Sequence, residues 1–116
     1  MYASFTVFRV PEANVEAFLR VQAEAADILR GHGAIEDLTY APVAGSAGGP
    51  PPLGSALELA PGELLAIGIT TFLDREHHDE VMALVRADPR VGELTAELAA
   101  LVRLDRCFRD ELDQVA

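Results

Sequence analysis

The segment from Glu63 to Leu73, with the sequence ELLAIGITTFL, constrains the fold more than any other part of the chain. Its branched and apolar residues follow a Pro61-Gly62 turn signal and are typical of a β-strand. Alternate side chains of a strand point to opposite faces, and here both faces are apolar: Leu65, Ile67 and Ile69 on one, and Leu64, Ala66, Gly68 and Phe72 on the other. Such a strand needs cover on both faces.

Two predicted strands and one predicted helix precede this strand. Side chains alternate from Tyr2 to Val10, which is the period of a strand. From Glu12 to Arg30, apolar residues recur every three or four positions and predict an amphipathic helix that stops at Gly31 or Gly33. Looser alternation from Ala34 to Val43 predicts a second strand.

The stretch from Ala44 to Ser55, AGSAGGPPPLGS, consists of small residues, glycine and proline. It sustains neither the helical nor the strand period, so it predicts a long exposed loop. Loops of this length are either functional or mobile. Both interpretations stay open from the sequence.

After the central strand, Asp74 is a good N-cap for a helix, and Pro89 ends that helix at the residue before it. A helical spacing of apolar residues then continues from Val91 to Val115. The stretch from Val102 to Arg109 also alternates like a strand. The composition favours helix to about Ala100, and the pattern leaves the remainder undecided between helix and strand.

Composition and charge narrow the class of protein. The chain has 116 residues, 50% of them hydrophobic and 24% charged, which predicts one globular domain over residues 1–116. Nine arginines and no lysine stand against 19 Asp plus Glu, and the net charge of -10 argues against nucleic acid or an anionic membrane surface as a partner. No apolar run is long enough to span a membrane and no signal peptide is evident, so we expect a cytoplasmic protein. Cys107 is the single cysteine, which predicts neither an intrachain disulfide nor a zinc site.

The order of elements predicts an α+β fold. Short βαβ units place helices on one face of a sheet, as in ferredoxin-like folds, and leave the other face bare. Because the strand from Glu63 to Leu73 is apolar on both faces, we expect a second copy of the chain to cover the bare face, giving a homodimer.

Short motifs along the chain carry a family resemblance. They are the opening strand with Val10-Pro11, Glu16-Ala17-Phe18, His32-Gly33-Ala34, Arg75, His77, Asp79, Val81, the run Ala87-Asp88-Pro89-Arg90, and Phe108. In these residues the chain resembles the domain of unknown function 1428 family, small proteins of the dimeric α+β barrel superfamily. The loop from Ala44 to Ser55 and Met82 depart from the family pattern.

The resemblance implies a ferredoxin-like βαββαβ fold with an antiparallel four-stranded sheet and an extra short helix, assembled as a dimeric α+β barrel. It also implies that a short helix over Gly92 to Ala100 leads into a fourth strand over Arg103 to Arg109. No activity is attached to the family, so the resemblance implies a fold and a dimer rather than a reaction.

Three residues are the candidates for catalysis: His77, Arg75 and His32. His77 lies near the start of the helix that Asp74 caps, where the helix dipole favours a neutral imidazole that can act as a base or polar anchor. We expect it to face Ile67, Ile69 and Phe72 of the strand. Arg75 would attract an anion to the helix N-terminus.

Structural roles compete with each of these assignments. His77 or its neighbour His78 can simply pack beside the sheet, and adjacent histidines on a helix point about 100° apart, which makes a shared metal ion a poor fit. His32 can cap the end of the first helix, although within reach of the cavity it would cooperate with His77. Asp88-Pro89-Arg90 is expected to close a helix and pair charges. No metal or other cofactor is predicted.

The sequence contains no nucleophile elbow, phosphate-binding loop, dinucleotide fingerprint or zinc-protease motif. We expect an apolar small-molecule pocket between the sheet and the helices of a homodimer. A non-catalytic dimerisation or interaction module is the alternative. A cofactor-independent monooxygenase or an isomerase is a further alternative that follows from fold analogy alone.

Overall fold

The computed structural model describes residues 1–43 and 48–116. In these ranges, the strands and helices follow one another in the order that the family resemblance implies. The strands are β1 (Tyr2–Pro11), β2 (Glu36–Tyr40), β3 (Glu63–Phe72) and β4 (Phe108–Asp113), and the α-helices are α1 (Val15–Gly31), α2 (Arg75–Arg86) and α3 (Pro89–Leu101). Single 3-10 turns cover Glu12–Asn14, Leu53–Ser55 and Leu104–Arg106.

The four strands described form one antiparallel sheet in the order β2-β3-β1-β4. This is the βαββαβ arrangement of a ferredoxin-like fold, with α3 as the extra helix before the last strand. The predicted fold class is therefore confirmed for the single chain.

The register of the sheet decides which side chains face the helices. Residues directly opposite in an antiparallel pair share a face, and Phe72 lies opposite Tyr2 while Ala66 lies opposite Phe8. These four side chains belong to the buried core beneath the helices. The other face, called the open face below, carries the apolar side chains of alternating residues and no helix of the described chain: Phe5, Val7, Leu38, Tyr40, Leu65, Ile67, Ile69, Phe108 and Leu112.

The core under the helices is divided into two clusters. One surrounds Phe72, which is fully buried beside Tyr2 and Val81. The other surrounds Phe8 and Phe18, whose rings pack edge to face at 5.0 Å. Small polar side chains of β1 lie between the two clusters on the same face of the sheet, because every second residue of a strand points to the same side.

Capping residues set the ends of the helices. Gly33 has a φ of 113°, and the amides of Gly33 and Ala34 donate to the carbonyls of Arg30 and Leu29, which closes α1 in a Schellman motif. The Asp74 carboxylate accepts a hydrogen bond from the His77 amide at 2.8 Å, so Asp74 is the N-cap of α2, as predicted.

The helix after α2 begins earlier than predicted. Asp88 accepts from the Arg90 amide at 3.0 Å, and Pro89 is the first residue of α3. Proline is well suited to the first helical position because its missing N–H is not needed there. Pro89 therefore starts α3, and α2 has already ended at Arg86.

An ion pair anchors α3 onto α1. Nη2 of Arg90 lies 2.8 Å from Oε1 of Glu24, and Nε of Arg90 pairs with the other oxygen of the same carboxylate. Arg90 also reaches Glu93 and Glu97 on its own helix. These bonds lower the pKa of Glu24 and raise that of Arg90. Arg90 therefore pairs with carboxylates of α1 and of its own helix.

Other predicted boundaries need correction. A 3-10 turn over Glu12–Asn14 delays the start of α1, and β2 is shorter than the predicted range of residues 34–43. The predicted fourth strand exists, but its predicted range of Arg103–Arg109 begins too early: Leu104–Arg106 forms a turn, and Arg103 pairs with Asp105 at 2.7 Å. The strand follows at Phe108–Asp113, where every side chain is exposed and leaves no alternation of burial to detect.

Part of the predicted long loop, residues 44–47, lies outside the described residues. Residues 48–55 are mostly exposed, as expected, but they include one 3-10 turn at Leu53–Ser55. In the two described ranges, no helix has the length and hydropathy that crossing a membrane requires.

Phe72 offers a test of this packing. Replacing Phe72 with Ala removes a side chain that is 0% exposed and should lower the free energy of unfolding by roughly 3–5 kcal/mol. The measurement is urea denaturation followed by circular dichroism. In the control, Leu73→Ala, the neighbouring side chain is 61% exposed, and a change of about 0.5 kcal/mol or less is expected. Equal losses in the two variants would contradict the core described above.

Candidate functional site

A cavity of about 240 Å³, called the central cavity below, lies between the middle of the sheet and the three helices. It occupies the gap between the two core clusters. Its sheet side is largely polar, with Ser4, Thr6, Asp37, Gly68 and Thr70. Its helix side is mainly apolar, with Val21, Leu29, Met82, Val85, Leu94 and Leu98, and it also carries Gln22 and Thr95. The central cavity therefore has a polar floor and a mainly apolar roof.

The polar floor follows directly from strand register. Thr70 of β3 lies opposite Asp37 of β2 on one side and opposite Ser4 of β1 on the other. Ser4 in turn lies opposite Glu111 of β4. These four residues, called the polar row below, cross the whole sheet on the face that the helices cover.

Asp37 is the buried acid of the polar row. Its residue is 9% exposed, and its Oδ1 accepts a hydrogen bond from the Thr70 hydroxyl at 2.5 Å. Burial raises the pKa of the Asp37 carboxyl, and the Thr70 hydrogen bond and the charge of Arg30 offset only part of that rise. The carboxyl group is therefore less acidic than an ordinary aspartic acid, a state that is typical of functional carboxyls in clefts.

A second group of titratable side chains lies at the end of the sheet, around His78. The imidazole is 4% exposed and packs between Tyr2 and Phe72, with ring centroids 5.1 Å and 4.8 Å away. Its Nδ1 is 2.9 Å from Oδ1 of Asp79. Its Nε2 is 3.0 Å from Oε1 of Glu111, but the two groups are not aligned for a hydrogen bond, and Nε2 has no other partner among the described residues.

Tyr2 completes this group by donating its hydroxyl proton to Oε2 of Glu111 at 2.9 Å. Burial raises the pKa of the Tyr2 hydroxyl, and the hydrogen bond and negative charge of Glu111 raise it further. The hydroxyl therefore keeps its proton at neutral pH and acts as a donor. This group ties α2 and β4 to the end of β1.

His77 is the histidine of α2 predicted as catalytic from the sequence, but the structure buries its neighbour His78 instead. His78, Val81 and Val85 are the buried residues of α2, so the helical spacing from Val81 was the signal that could have identified His78. His77 is only half-buried, and its Nδ1 accepts from the Leu73 amide at 3.0 Å. That contact supports the turn into α2.

The expected surroundings of His77 are correct in one part and wrong in another. Its ring lies 6.0 Å from that of Phe72, as predicted. Ile67 and Ile69, in contrast, are on the open face, because residues at odd and even distances along β3 point to opposite sides. His77 does not line the central cavity.

The other two predicted residues also lie outside the central cavity. Nε2 of His32 is 2.9 Å from Oδ2 of Asp88, and this bond lowers the pKa of Asp88. His32 thus joins the end of α1 to the start of α3. Arg75 is exposed beside an open depression that Glu111 and Asp113 also line, so carboxylates already surround it. The structure does not bring His77, Arg75 and His32 into one site, and their catalytic roles stay predictions.

Two further features bear on cofactors. In residues 1–43 and 48–116, no three or more His, Cys, Asp and Glu side chains are arranged to hold a metal ion. Cys107 is half-buried with its Sγ 3.4 Å from the Arg103 carbonyl, and burial raises the pKa of the thiol. Cys107 packs against the Phe8 cluster.

The comparisons with known proteins agree on the architecture. The model of a family described as "Protein of unknown function (DUF1428)" matches residues 1–100. This match confirms the family that the sequence motifs resemble. No curated protein matches the chain.

Solved structures similar to this chain share its fold at low sequence identity. An uncharacterized NIPSNAP domain protein from Burkholderia xenovorans has a TM-score of 0.66 at 15% identity, over 100% of this chain and 96% of that chain. An antibiotic biosynthesis monooxygenase has a TM-score of 0.62 at 14% identity, over 100% of both chains. A dimeric ferredoxin-like protein from an uncultured marine organism has a TM-score of 0.63 at 11% identity, over 100% and 96%. Identities this low show the fold alone.

The raised pKa of Asp37 predicts a specific dependence of stability on pH. An acid whose pKa is higher in the folded state stabilises the fold when protonated, and that contribution is lost as the pH rises through the folded pKa. Asp37→Asn removes the ionisation but keeps an acceptor for Thr70. The variant should therefore gain Tm relative to the wild type as the pH rises from about 3 to about 7.

Thermal unfolding monitored by circular dichroism across this pH range measures the effect. Glu36→Gln is the matched control, because Glu36 is exposed on the same strand and carries the same charge. A Tm difference between Asp37→Asn and wild type that stays constant across the range would contradict the assigned shift.

Proposed function

The chain belongs to the DUF1428 family of proteins of unknown function, and we propose that it binds a small, mainly apolar molecule in the central cavity. The observation that carries this proposal is the cavity itself, with a mainly apolar roof from three helices and a polar floor from the sheet. Small-molecule sites are typically concave and apolar, with a few polar groups that fix orientation.

The volume sets the size of the molecule. A cavity of about 150 Å³ holds benzene, and the central cavity measures about 240 Å³. It therefore fits a ligand of roughly ten non-hydrogen atoms. An apolar occupant would remove the roof side chains from water, so it should stabilise the folded chain.

We also propose that the chain forms a homodimer through the open face. Several large apolar side chains on this face are widely exposed in the single chain, including Tyr40 at 51%, Phe108 at 53% and Leu112 at 48%. Val7 and Leu65 of this face are already buried in the single chain, and the exposed apolar side chains lie around them. Exposed apolar surface of this kind marks an interaction site. A second copy is the occupant that best fits, since a structurally similar protein is described as dimeric.

Arg9 supports an interface on the same face. Its guanidinium lies 5.7 Å from the centre of the Phe108 ring, and its Nε is buried without a hydrogen-bond partner among the described residues. Because Nε is already shielded within the single chain, a second copy would contact the outer side of the Arg9–Phe108 pair, where Phe108 is 53% exposed.

A non-catalytic dimerisation or interaction module is the second candidate function. The open face favours it directly, because dimerisation through that face needs no ligand. The two functions differ in one measurable property: only the first predicts that a small apolar molecule stabilises the protein.

Thermal shift with a panel of monocyclic apolar molecules tests ligand binding. A ligand at about one hundred times its Kd should stabilise the chain by roughly 2.7 kcal/mol, seen as a rise in Tm. Ala25 lines the central cavity, so Ala25→Leu should fill part of it and reduce the rise. Ala23→Leu makes the same change on the exposed side of α1 and should leave the rise intact.

The outcome of this panel separates the two functions. No rise in Tm with any member of the panel contradicts the binding function and favours the interaction module. A rise that Ala23→Leu and Ala25→Leu both preserve shows binding outside the central cavity and also contradicts the proposal.

Sedimentation velocity tests the homodimer. Wild-type protein at micromolar concentration should sediment as a dimer, and Ile69→Arg should be monomeric, because the substitution places a charge in the middle of the open face. Leu84→Arg is the control, since Leu84 is already 53% exposed on α2. A monomeric wild type, or a dimeric Ile69→Arg variant, would contradict an interface on this face.

A further inference from the structure

Asp37 retains unused hydrogen-bonding capacity inside the central cavity. A carboxylate offers about four acceptor positions, and the Asp37 side chain accepts one hydrogen bond in the described part of the chain, from Thr70. The hydrogen bond from Nη1 of Arg30, in contrast, goes to the backbone carbonyl oxygen of Asp37, at 3.4 Å. The side-chain carboxyl thus lines the cavity with acceptor positions that no described residue fills.

Neighbouring side chains do not neutralise Asp37. Arg109 is the other charged residue lining the cavity within the described ranges. Asp37 lies on β2 and Arg109 on β4, which are opposite edges of the sheet. Three strand spacings separate these edges, a distance of about 14 Å. Arg30 lies closer, but its Nη2 is already 2.8 Å from Asp27.

The roof of the cavity is mainly apolar, with Val21, Leu29, Met82, Val85, Leu94 and Leu98. Its polar side chains are Gln22 and Thr95, each of which already donates a hydrogen bond: Gln22 to the Thr39 hydroxyl at 3.2 Å, and Thr95 to the Val91 carbonyl at 2.9 Å. An occupant of the cavity therefore has one end beside a carboxyl with free acceptor positions and most of the remainder beside hydrocarbon. This combination selects for a donor at one end of an otherwise apolar molecule, because a buried acceptor left without a partner costs free energy.

We propose that Asp37 anchors the polar group of the ligand, and that the ligand is a small apolar molecule carrying a hydrogen-bond donor, either a hydroxyl or an amine. Thr70 lies beside Asp37 in the polar row, and Ser4 lies on the far side of Thr70. The Thr70 hydroxyl, which donates to Asp37, can accept a further hydrogen bond from the ligand, and the Ser4 hydroxyl can accept or donate. This inference rests on the proposed binding function and adds the chemistry of the ligand to it.

Four probes of the same size test the donor requirement. Benzyl alcohol carries a neutral donor, benzylamine a cationic donor, anisole only an acceptor, and ethylbenzene no polar group. Kd values come from NMR titration of backbone amides at a mildly alkaline pH, which favours the ionised carboxyl. In the wild type, at least one of the two donor probes should bind about tenfold more tightly than ethylbenzene and anisole. Whichever of the two donor probes has the lower Kd shows whether the site prefers an alcohol or an amine.

Variants of Asp37 assign the preference to this residue. In Asp37→Leu the advantage of the donor probes should disappear, with the affinity for ethylbenzene unchanged or higher. Asp37→Asn, which keeps an acceptor for Thr70 and adds an amide donor, should reduce the advantage and improve anisole. Asp37→Asn also takes the place of Asp37→Leu in this test if the Leu variant does not fold. Glu36→Gln, on the same strand but exposed, should behave as the wild type.

The possible failures are distinguishable. If all four probes bind equally, or if the Asp37 variants keep the preference for donors, the anchoring role is overturned and the binding function stands. If none of the four causes amide shifts around the central cavity, the anchoring role and the proposed binding function fail together.

Discussion

The antiparallel pairing of β1 with β3 is the interaction on which the rest of the structure depends. This register places Ser4 opposite Thr70 and Tyr2 opposite Phe72. It decides in one step which side chains the helices cover and which remain on the open face. A slip of one residue would exchange the two faces of a strand, moving Ser4 and Thr6 out of the core and the large apolar side chains Phe5 and Val7 into it. The two core clusters, the gap between them and the open face all follow from this single alignment.

The sequence predicted the strands better than the functional geometry. The alternation in β1 was visible because Ser4 and Thr6 alternate with apolar residues, and β3 was recognisable as a run of branched and apolar residues that is apolar on both faces. The caps at Asp74 and Gly33 were predictable because helix ends leave backbone groups that only certain residues satisfy. The fourth strand was misplaced by several residues, because backbone pairing with β1 forms it and its side chains carry no burial pattern.

The central cavity and Asp37 could not be found by reading along the chain. Asp37 lies in a short, loosely alternating strand with exposed neighbours on both sides, so its own segment gives no sign of burial. Its burial arises from α1 crossing above β2 and from pairing with Thr70, which is 33 positions away in sequence. His78 was not predicted for a different reason. His77 was favoured because it lies near the start of the helix, whereas the spacing of the apolar residues in α2 places His78 on the buried face.

β4 differs from the other edge strand, β2, because none of its side chains is buried, whereas β2 buries Asp37. β4 is paired with β1 alone, and Glu111 links it to Tyr2 through one hydrogen bond of 2.9 Å. Segments with little buried surface open at a lower free energy than the whole domain. Since Arg109 of β4 borders the central cavity, local opening of this strand exposes one side of the cavity to solvent while β1, β3 and the helices stay folded. Under the proposed binding function, fraying of this one edge strand would widen the way in and out for a ligand without unfolding of the core.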